Sequence, residues 1–322
     1  MPSTMNRKRP ALEKIRTIKE RVRTSPYRKQ FLTAAAFCTA ALMVNATHID
    51  DAVAQQFTDL TTSQAEKDTS IWLNNYSRAQ DPMVIQGISE LSGLTWNDNS
   101  KTLFAVINRP ARAVELSRDG QLLRAITLNG FEDVEGITWM GGENYLIADE
   151  RKHHVLKVTI TPETKVINSD NLPLLQIGIG TGNNKGFEGI AWQPDNRSIW
   201  VIKERDPITL YHIKGFADST ETNRIEINVD EKMNQAASKG NSDASGLHLD
   251  SRTGNLLVLS DESARVTEIN RAGEVVSTLS LGWELNDSVP QAEGITMDDK
   301  GDIYIVSEPN LMYRYSKTAI QK

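Results

Sequence analysis

Short runs of alternating hydrophobic and polar residues fill positions 83–316, and turn-forming residues separate the runs. Alternation with a period of two predicts β-strands rather than helices. The runs form groups, and each group opens with glutamate or serine, then glycine, then a short apolar run. This motif occurs five times, at residues 92–96, 135–139, 188–192, 245–249 and 293–297.

The spacing of the motif predicts the architecture. Its glycines stand at 93, 136, 189, 246 and 294, so successive copies lie between 43 and 57 residues apart. Repeats of this length are typical of β-propellers and solenoids. Further strand signals follow each copy, and residues 83–316 divide into five units of about 47 residues, which suits one four-stranded blade per unit.

The two ends of the repeat region complement each other. The fifth unit ends without a fourth strand, whereas residues 83–88 form a strand signal that belongs to no unit. Pairing of these segments would close the ring and remove open sheet edges. We therefore predict an all-β fold, a five-bladed β-propeller closed by an N-terminal strand. A two-sheet sandwich also suits short alternating strands, but it does not explain the repeated glycine motif.

The front of the chain has a different composition. Residues 1–30 carry ten Lys or Arg and two Glu, and an uncharged, alanine-rich segment follows over residues 31–48. A basic stretch before an apolar one predicts a cytoplasmic N-terminus and a membrane or signal helix. We favour a transmembrane anchor, with residues 49–82 as a linker and 317–322 as a tail. The alternatives are a signal peptide cleaved near residues 52–54, which would release the protein, and a buried amphipathic helix.

Charge limits the partners of the main body. The formal net charge is −6, and residues 1–30 contribute +8, so residues 31–322 carry −14. An acidic surface repels the phosphate backbone, which makes nucleic acid an unexpected partner. The expected partners are the membrane, through the N-terminal segment, and an unidentified small ligand or envelope protein.

Glutamates of the repeated motif are candidate metal ligands. The first strand of each propeller blade lines the central channel, so Glu135, Glu188 and Glu293 should face one another there, with Ser92 and Ser245 at the matched sites. Carboxylates that share a narrow space repel each other unless they are protonated or hold a cation. An oxygen-only ligand set favours Ca²⁺ over Zn²⁺, so we predict calcium as the cofactor.

A second set of acids recurs at the end of the next strand. This position holds Asn108 in the first unit and glutamate in the others, namely Glu150, Glu204, Glu262 and Glu308. These residues are further candidate metal ligands. A glutamate beside Arg or Lys at a strand end is also commonly a solvated ion pair, so this alternative stays open for each of them.

Several of these motifs resemble those of the SdiA-regulated, YjiK-like proteins of bacterial envelopes. The resemblance covers about residues 83–316 and rests on residues 92–96, 186–189, 261–263 and 303–310. It implies a five-bladed propeller similar to NHL-repeat propellers, with a calcium site, behind an N-terminal membrane segment.

Two functions fit these expectations. The first is a membrane-anchored, periplasm-facing module that binds calcium together with a ligand or a protein. The second is a Ca²⁺-dependent hydrolase of the lactonase or esterase type, in which the metal is a Lewis acid. Neither a nucleophile-elbow motif nor a zinc-protease helix motif is present, and the sequence identifies no catalytic residue.

Overall fold

The computed structural model describes residues 58–178, 186–218, 224–282 and 289–318. Each repeated motif lies at the start of a separate, mainly antiparallel sheet. Strands β1 (Tyr76–Arg78) and β2 (Met83–Val84) precede the first motif. The first sheet contains β3 (Leu91–Asn97), β4 (Thr102–Ile107), β5 (Arg112–Leu116) and β6 (Leu122–Asn129). The second contains β7 (Val134–Gly141), β8 (Asn144–Asp149), β9 (His154–Thr159) and β11 (Leu174–Gln176). Strand β10 (Val166–Asn168) lies between β9 and β11 in the sequence but pairs with β6 of the first sheet.

The remaining sheets repeat this pattern. The third contains β12 (Phe187–Gln193), β13 (Ser198–Lys203), β14 (Thr209–Lys214) and β15 (Glu226–Asn228). The fourth contains β16 (Gly246–Leu249), β17 (Leu256–Ser260), β18 (Arg265–Ile269) and β19 (Val275–Ser280). The fifth contains β20 (Ala292–Met297), β21 (Ile303–Ser307) and β22 (Leu311–Lys317). Short helices are α1 (Gln64–Asp68), a 3-10 turn (Leu73–Asn75) and α2 (Glu231–Ser238).

The motif glycines bring the five innermost strands together around one axis. A Cβ atom at Gly189 would lie 2.6 Å from the backbone nitrogen of Leu247 in the next sheet, so only glycine fits there. The contacts continue around the ring, since a Cβ at Gly294 would lie 2.7 Å from the carbonyl carbon of Gly93. The all-β, five-bladed propeller is therefore confirmed.

Hydrophobic clusters fill the spaces between neighbouring blades. Between the first two blades, for example, Phe104 and Ile126 pack with Ile137 and Tyr145, and all four are buried. Alternate residues of each strand supply these layers, which explains the period of two in the sequence.

The last strand pairs with residues that precede the first motif. Met83 and Val84 of β2 pair with Met312 and Leu311, and β1 pairs with the other end of β22. The strand predicted over residues 83–88 is thus only two residues long. Residues 71–78, expected to belong to a linker, pack against the fifth and fourth blades, where Ile71 donates its backbone N–H to Glu268 at 2.8 Å.

The predicted basic segment (1–30) and apolar segment (31–48) lie outside the described residues. Among the helices that the structure does describe, none is both long and apolar enough to cross a membrane.

Candidate metal centre at one mouth of the channel

A β-bulge places each motif glutamate at the axis. Val134 pairs with Asp149 and Gly136 with Ala148, which leaves Glu135 as an extra residue without a partner across the strand pair. The same register shift leaves out Glu188 and Glu293 in their blades. Because a bulge interrupts the regular alternation of side chains, it can redirect a residue that would otherwise point between the blades.

Three carboxyl groups of the second blade form the tightest acidic cluster among the described residues. One carboxylate oxygen from each of Asp133, Glu135 and Glu150 lies within 4.8 Å of the others. Asp133 and Glu150 are 4% and 3% exposed, so these acids have little water to screen their charges. Arg151 forms an ion pair with Asp133 at 2.7 Å and compensates one of them. The cluster as a whole retains excess negative charge.

The first blade contributes polar groups to the same cluster. Ser92 donates its hydroxyl to Glu135 Oε2 at 2.7 Å, and Asn108 Nδ2 donates to Glu135 Oε1 at 2.6 Å. The amide oxygen of Asn108 is buried and has no hydrogen-bond partner among the described residues. A buried acceptor without a donor is costly, and a cation would satisfy it.

The pKa values reflect this crowding. Burial raises the pKa of Glu135 to about 7, although the Ser92 and Asn108 hydrogen bonds oppose the shift. Burial also raises the pKa of Glu150, which the backbone N–H of Gly186 opposes by donating to Oε1 at 2.7 Å. Without a cation, these carboxylates resist ionisation together.

Glu188 and Glu293 extend the acidic surface around the axis. Burial raises the pKa of Glu188 well above its ordinary value, and the charges of Glu135 and Glu150 add to the effect. Glu188 also shares a hydrogen bond with the carboxyl group of Glu150. Burial raises the pKa of Glu293 to about 9, with the charge of Glu135 as the next cause. The charge of Glu135 therefore raises the pKa of both Glu188 and Glu293.

The strand-end acids divide into different environments. Glu150 belongs to the cluster, whereas Arg205 forms ion pairs with both Glu204 and Glu262, the latter at 2.6 Å. Glu262 is exposed, so the solvated ion-pair interpretation describes it well. Glu308 accepts a weak hydrogen bond from Gln291 at 3.4 Å, and its charge contributes to the raised pKa of Glu293.

Sequence reasoning missed Asp133 and did not count Asn108 as a ligand. Asp133 stands two residues before the motif acid, and Asp243 stands at the equivalent place in the fourth blade. This recurrence of aspartate in two blades was the feature of the sequence that could have identified Asp133. Asn108 occupies the site of the strand-end glutamates, so its position in the repeat already indicated a role beside them.

Together, the bulged glutamates and the ring of five sheets define a class of protein: a β-propeller with an acidic mouth. The sequence also identifies the family. Residues 68–316 match the model of the SdiA-regulated family, and the chain belongs to that family.

Solved structures of similar shape come from varied proteins. A luciferin-regenerating enzyme is 12% identical, with 74% of this chain and 95% of that chain covered and a TM-score of 0.47. A gluconolactonase from Xanthomonas campestris is also 12% identical, with 74% and 90% covered and a TM-score of 0.44. A chain of a nidogen/laminin complex is 14% identical, with 68% and 73% covered and a TM-score of 0.46. Because these sequence identities and TM-scores are low, the similarities give no information about the activity of this chain.

Proposed function

We propose that this protein is a calcium-binding propeller module of the bacterial envelope. The observation that carries the proposal is the cluster of Asp133, Glu135 and Glu150, whose oxygens lie within 4.8 Å of one another beside the unpartnered amide oxygen of Asn108. These four residues would hold the ion.

The donor set suits calcium better than other common metals. All four candidate ligands offer oxygen, which hard cations prefer, and no histidine or cysteine belongs to the cluster. Calcium accepts six to eight oxygens in irregular arrangements, so it tolerates a site made from a bulge, a strand end and a neighbouring amide. Magnesium demands a stricter octahedron and fits such a site less well.

The ion would join separate blades. Asn108 and Ser92 belong to the first blade, Glu135 and Glu150 to the second, and Gly186, which donates to Glu150, precedes the first strand of the third. Neutralising the acids at this junction removes repulsion that otherwise works against the folded state. Calcium should therefore stabilise this mouth of the propeller and fix its loops for binding.

The first test is metal content. Protein purified without chelator should contain about one calcium ion per chain, and Glu135→Gln should greatly reduce that content because it removes a charge at the centre of the cluster. Glu262→Gln is the matched control, since Glu262 is a strand-end glutamate that is exposed and paired with Arg205. Elemental analysis and calcium titration by calorimetry measure both. Equal calcium content in Glu135→Gln and the unmodified protein would contradict the proposal.

The cellular location rests on the N-terminal sequence. We propose that residues 31–48 anchor the chain in the inner membrane and that the propeller faces the periplasm, because ten basic residues precede this apolar segment. Cell fractionation with protease protection tests this arrangement. Intact protein in the membrane fraction supports an anchor, and a shortened soluble periplasmic form supports cleavage instead. Full-length soluble protein in the cytoplasm would contradict both.

A hydrolase remains the second candidate because of Glu188 and Glu293. Both are acids with raised pKa values beside the proposed metal site, and such groups are frequent at catalytic centres. Bound calcium would supply Lewis-acid polarisation of a carbonyl oxygen. Glu293, which is not among the four proposed ligands, could then donate a proton to a leaving group.

A panel of lactones and aryl esters separates the two candidates. Hydrolysis that depends on calcium and that Glu293→Gln abolishes, while calcium content stays normal, would establish the enzyme. Absence of turnover in protein that holds calcium would favour the binding module.

A further inference from the structure

A second cavity opens at the opposite mouth of the channel. It has a volume of about 470 Å³, and the carboxyl ends of the inner strands line it, together with the turns that follow them. Every blade contributes, for example through Trp96, Trp139, Trp192, His248 and Thr296. A cavity of this size lies within the usual range for small-molecule sites.

Aliphatic side chains separate this cavity from the acidic mouth. Between the two ends there is a void of only about 10 Å³, which is lined by Glu188, by the motif glycines and by the aliphatic residues Leu94, Ile137, Ile190, Leu247 and Ile295. Such a void is barely large enough for one water molecule. A ligand in the second cavity therefore cannot reach Glu135 or Glu150, and the two mouths are independent sites.

Hydroxyl groups surround the inner end of the cavity. Thr296 accepts the backbone N–H of Trp96 at 3.0 Å, Thr95 that of Trp139 at 3.0 Å, and Thr138 that of Trp192 at 3.2 Å. Each hydroxyl accepts one hydrogen bond in this way and keeps its own hydrogen for a second partner. These threonines are buried, and they link the fifth blade to the first, the first to the second and the second to the third, while their hydroxyl groups remain available as donors.

A histidine replaces threonine at the matched position of the fourth blade. His248 Nδ1 lies 3.4 Å from the Thr296 hydroxyl, within reach of a weak hydrogen bond. When Thr296 donates to Nδ1, the ring carries its hydrogen on Nε2, which adds another neutral donor to the cavity wall.

Indole rings form the apolar wall, and their positions are fixed. Trp139 Nε1 donates to the carbonyl of Gly142 at 2.9 Å, and Trp96 Nε1 donates to Asp98 at 3.1 Å. The guanidinium of Arg118 covers Trp96 at 4.3 Å from the ring centre. Rings held in this way offer flat apolar surfaces at little cost in side-chain entropy.

Most charges at the rim are paired, although acids outnumber bases by one. Lys101 pairs with Asp98 and Asp299 at 2.8 and 3.0 Å, Arg118 pairs with Asp298, and Arg252 pairs with Asp250. The rim therefore offers paired donors and acceptors with one carboxylate in excess, which disfavours an anionic ligand.

We propose that this mouth binds a small neutral carbohydrate. The apolar face of a sugar ring would lie on an indole, and its hydroxyls would meet the threonines, His248 and the paired groups of the rim. The site needs no metal and does not depend on the function proposed for the acidic mouth.

Titration of the full-length protein with glucose, N-acetylglucosamine, maltose and cellobiose tests the proposal. Intrinsic tryptophan fluorescence and calorimetry should show saturable binding of at least one sugar, unchanged by chelator or by Glu135→Gln. Trp139→Ala should weaken that binding about tenfold or more, since it removes the stacking surface. Trp200→Ala is the matched control, because Trp200 stacks on His212 at 4.1 Å and does not line the cavity.

Thr138→Val provides a second variant if Trp139→Ala does not fold. It keeps the shape of the side chain, removes one hydroxyl, and should weaken binding about threefold to tenfold. The proposal is overturned if none of the four sugars binds, or if choline saturates the site while the sugars do not. Equal losses in Trp139→Ala and Trp200→Ala, or loss of binding in Glu135→Gln, would overturn it as well.

Discussion

The two mouths of the channel are made from the same five strands but differ in chemistry. At the amino ends, bulges turn Glu135, Glu188 and Glu293 toward the axis, where burial raises the pKa of each carboxyl group. At the carboxyl ends, Thr95, Thr138 and Thr296 link the blades by hydrogen bonds, and indoles form the wall. At the first mouth the carboxylates repel one another unless a cation neutralises them, whereas the second mouth combines paired charges with indoles and hydroxyl groups.

This contrast shows how a repeat can carry two functions. The glycine and the aliphatic residues of the motif serve packing, and they close the channel between the mouths. Because the ends of the strands contribute little to that packing, their side chains can serve binding. The comparison predicts that changes at one mouth leave the other unaffected, whereas changes between them damage both.

The largest effect is expected from a substitution between the mouths. Gly189→Ala places a methyl group 2.6 Å from Leu247 N and 2.7 Å from Leu247 Cβ, so two blades must move apart. The free energy of unfolding should fall by about 3 kcal/mol, as in overpacked cores. Chemical denaturation measures the change. Gly178→Ala is the control, because nothing lies within 4 Å of its new methyl group, and similar losses in the two variants would refute the packing argument.

The next effect concerns pH at the acidic mouth. Glu293 has a pKa of about 9 in the folded protein against 4.5 otherwise, so the folded state binds more protons between those pH values. Stability of the calcium-free protein should therefore fall as the pH rises through this window, by on the order of 2 kcal/mol after solvent screening. Thermal melting measures it, and added calcium or Glu293→Gln should reduce the loss. A calcium-free protein that gains stability over this window would contradict the prediction.

The neutral mouth should respond to pH with the opposite sign. Burial lowers the pKa of His248 from 6.5 to about 4, with Asp250 opposing the shift and Arg252 adding to it, so the unfolded state binds more protons in between. Stability should fall by about 1 kcal/mol as the pH drops from 6.5 to 4. His248→Thr, which introduces the residue that the first, second and fifth blades have at this position, should remove this part of the pH dependence in thermal melts. If His248→Thr loses as much stability at low pH as the unmodified protein does, His248 is not the source of that loss.

The smallest effect is expected from one hydroxyl at the acidic mouth. Ser92→Ala removes the donor to Glu135 Oε2 and should weaken calcium binding about threefold, because Glu135 then holds its proton more tightly. Ser245 is the matched residue of the fourth blade and donates to the carbonyl of Ala292 instead. Ser245→Ala should leave calcium affinity unchanged, as measured by calorimetry. Equal effects would mean that the hydroxyl acts through the fold rather than through Glu135.

Much of the fold could be predicted from repetition. The apolar run over residues 199–204 predicts a strand and corresponds to β13 (Ser198–Lys203), and the run over residues 145–150 corresponds to β8 (Asn144–Asp149). Prediction is weaker for the outer strands. The pattern over residues 172–177 predicts the fourth strand of the second unit, but that strand covers only Leu174–Gln176, while Val166–Asn168 pairs in parallel with β6 of the first blade. Such pairing joins distant segments and leaves no local pattern.

The candidate site was predictable only in part. Glu150 and Glu262 end equivalent strands and look alike in the sequence. Their environments differ because the loop at Gly186 covers Glu150, whereas Arg205 meets Glu262 at the surface. The neighbouring blade therefore decides whether a strand-end glutamate is buried and crowded or solvated and paired.

The sequence by itself determined the number of blades and which strand of each blade is innermost, because period and alternation are local properties that each blade repeats. Only the tertiary structure decided which acids share one cluster, that Asp133 and Asn108 belong to it, and that indoles and hydroxyls meet at the far mouth. Those outcomes depend on how neighbouring blades pack. The pattern of residues along the chain does not contain the distances between side chains of different blades.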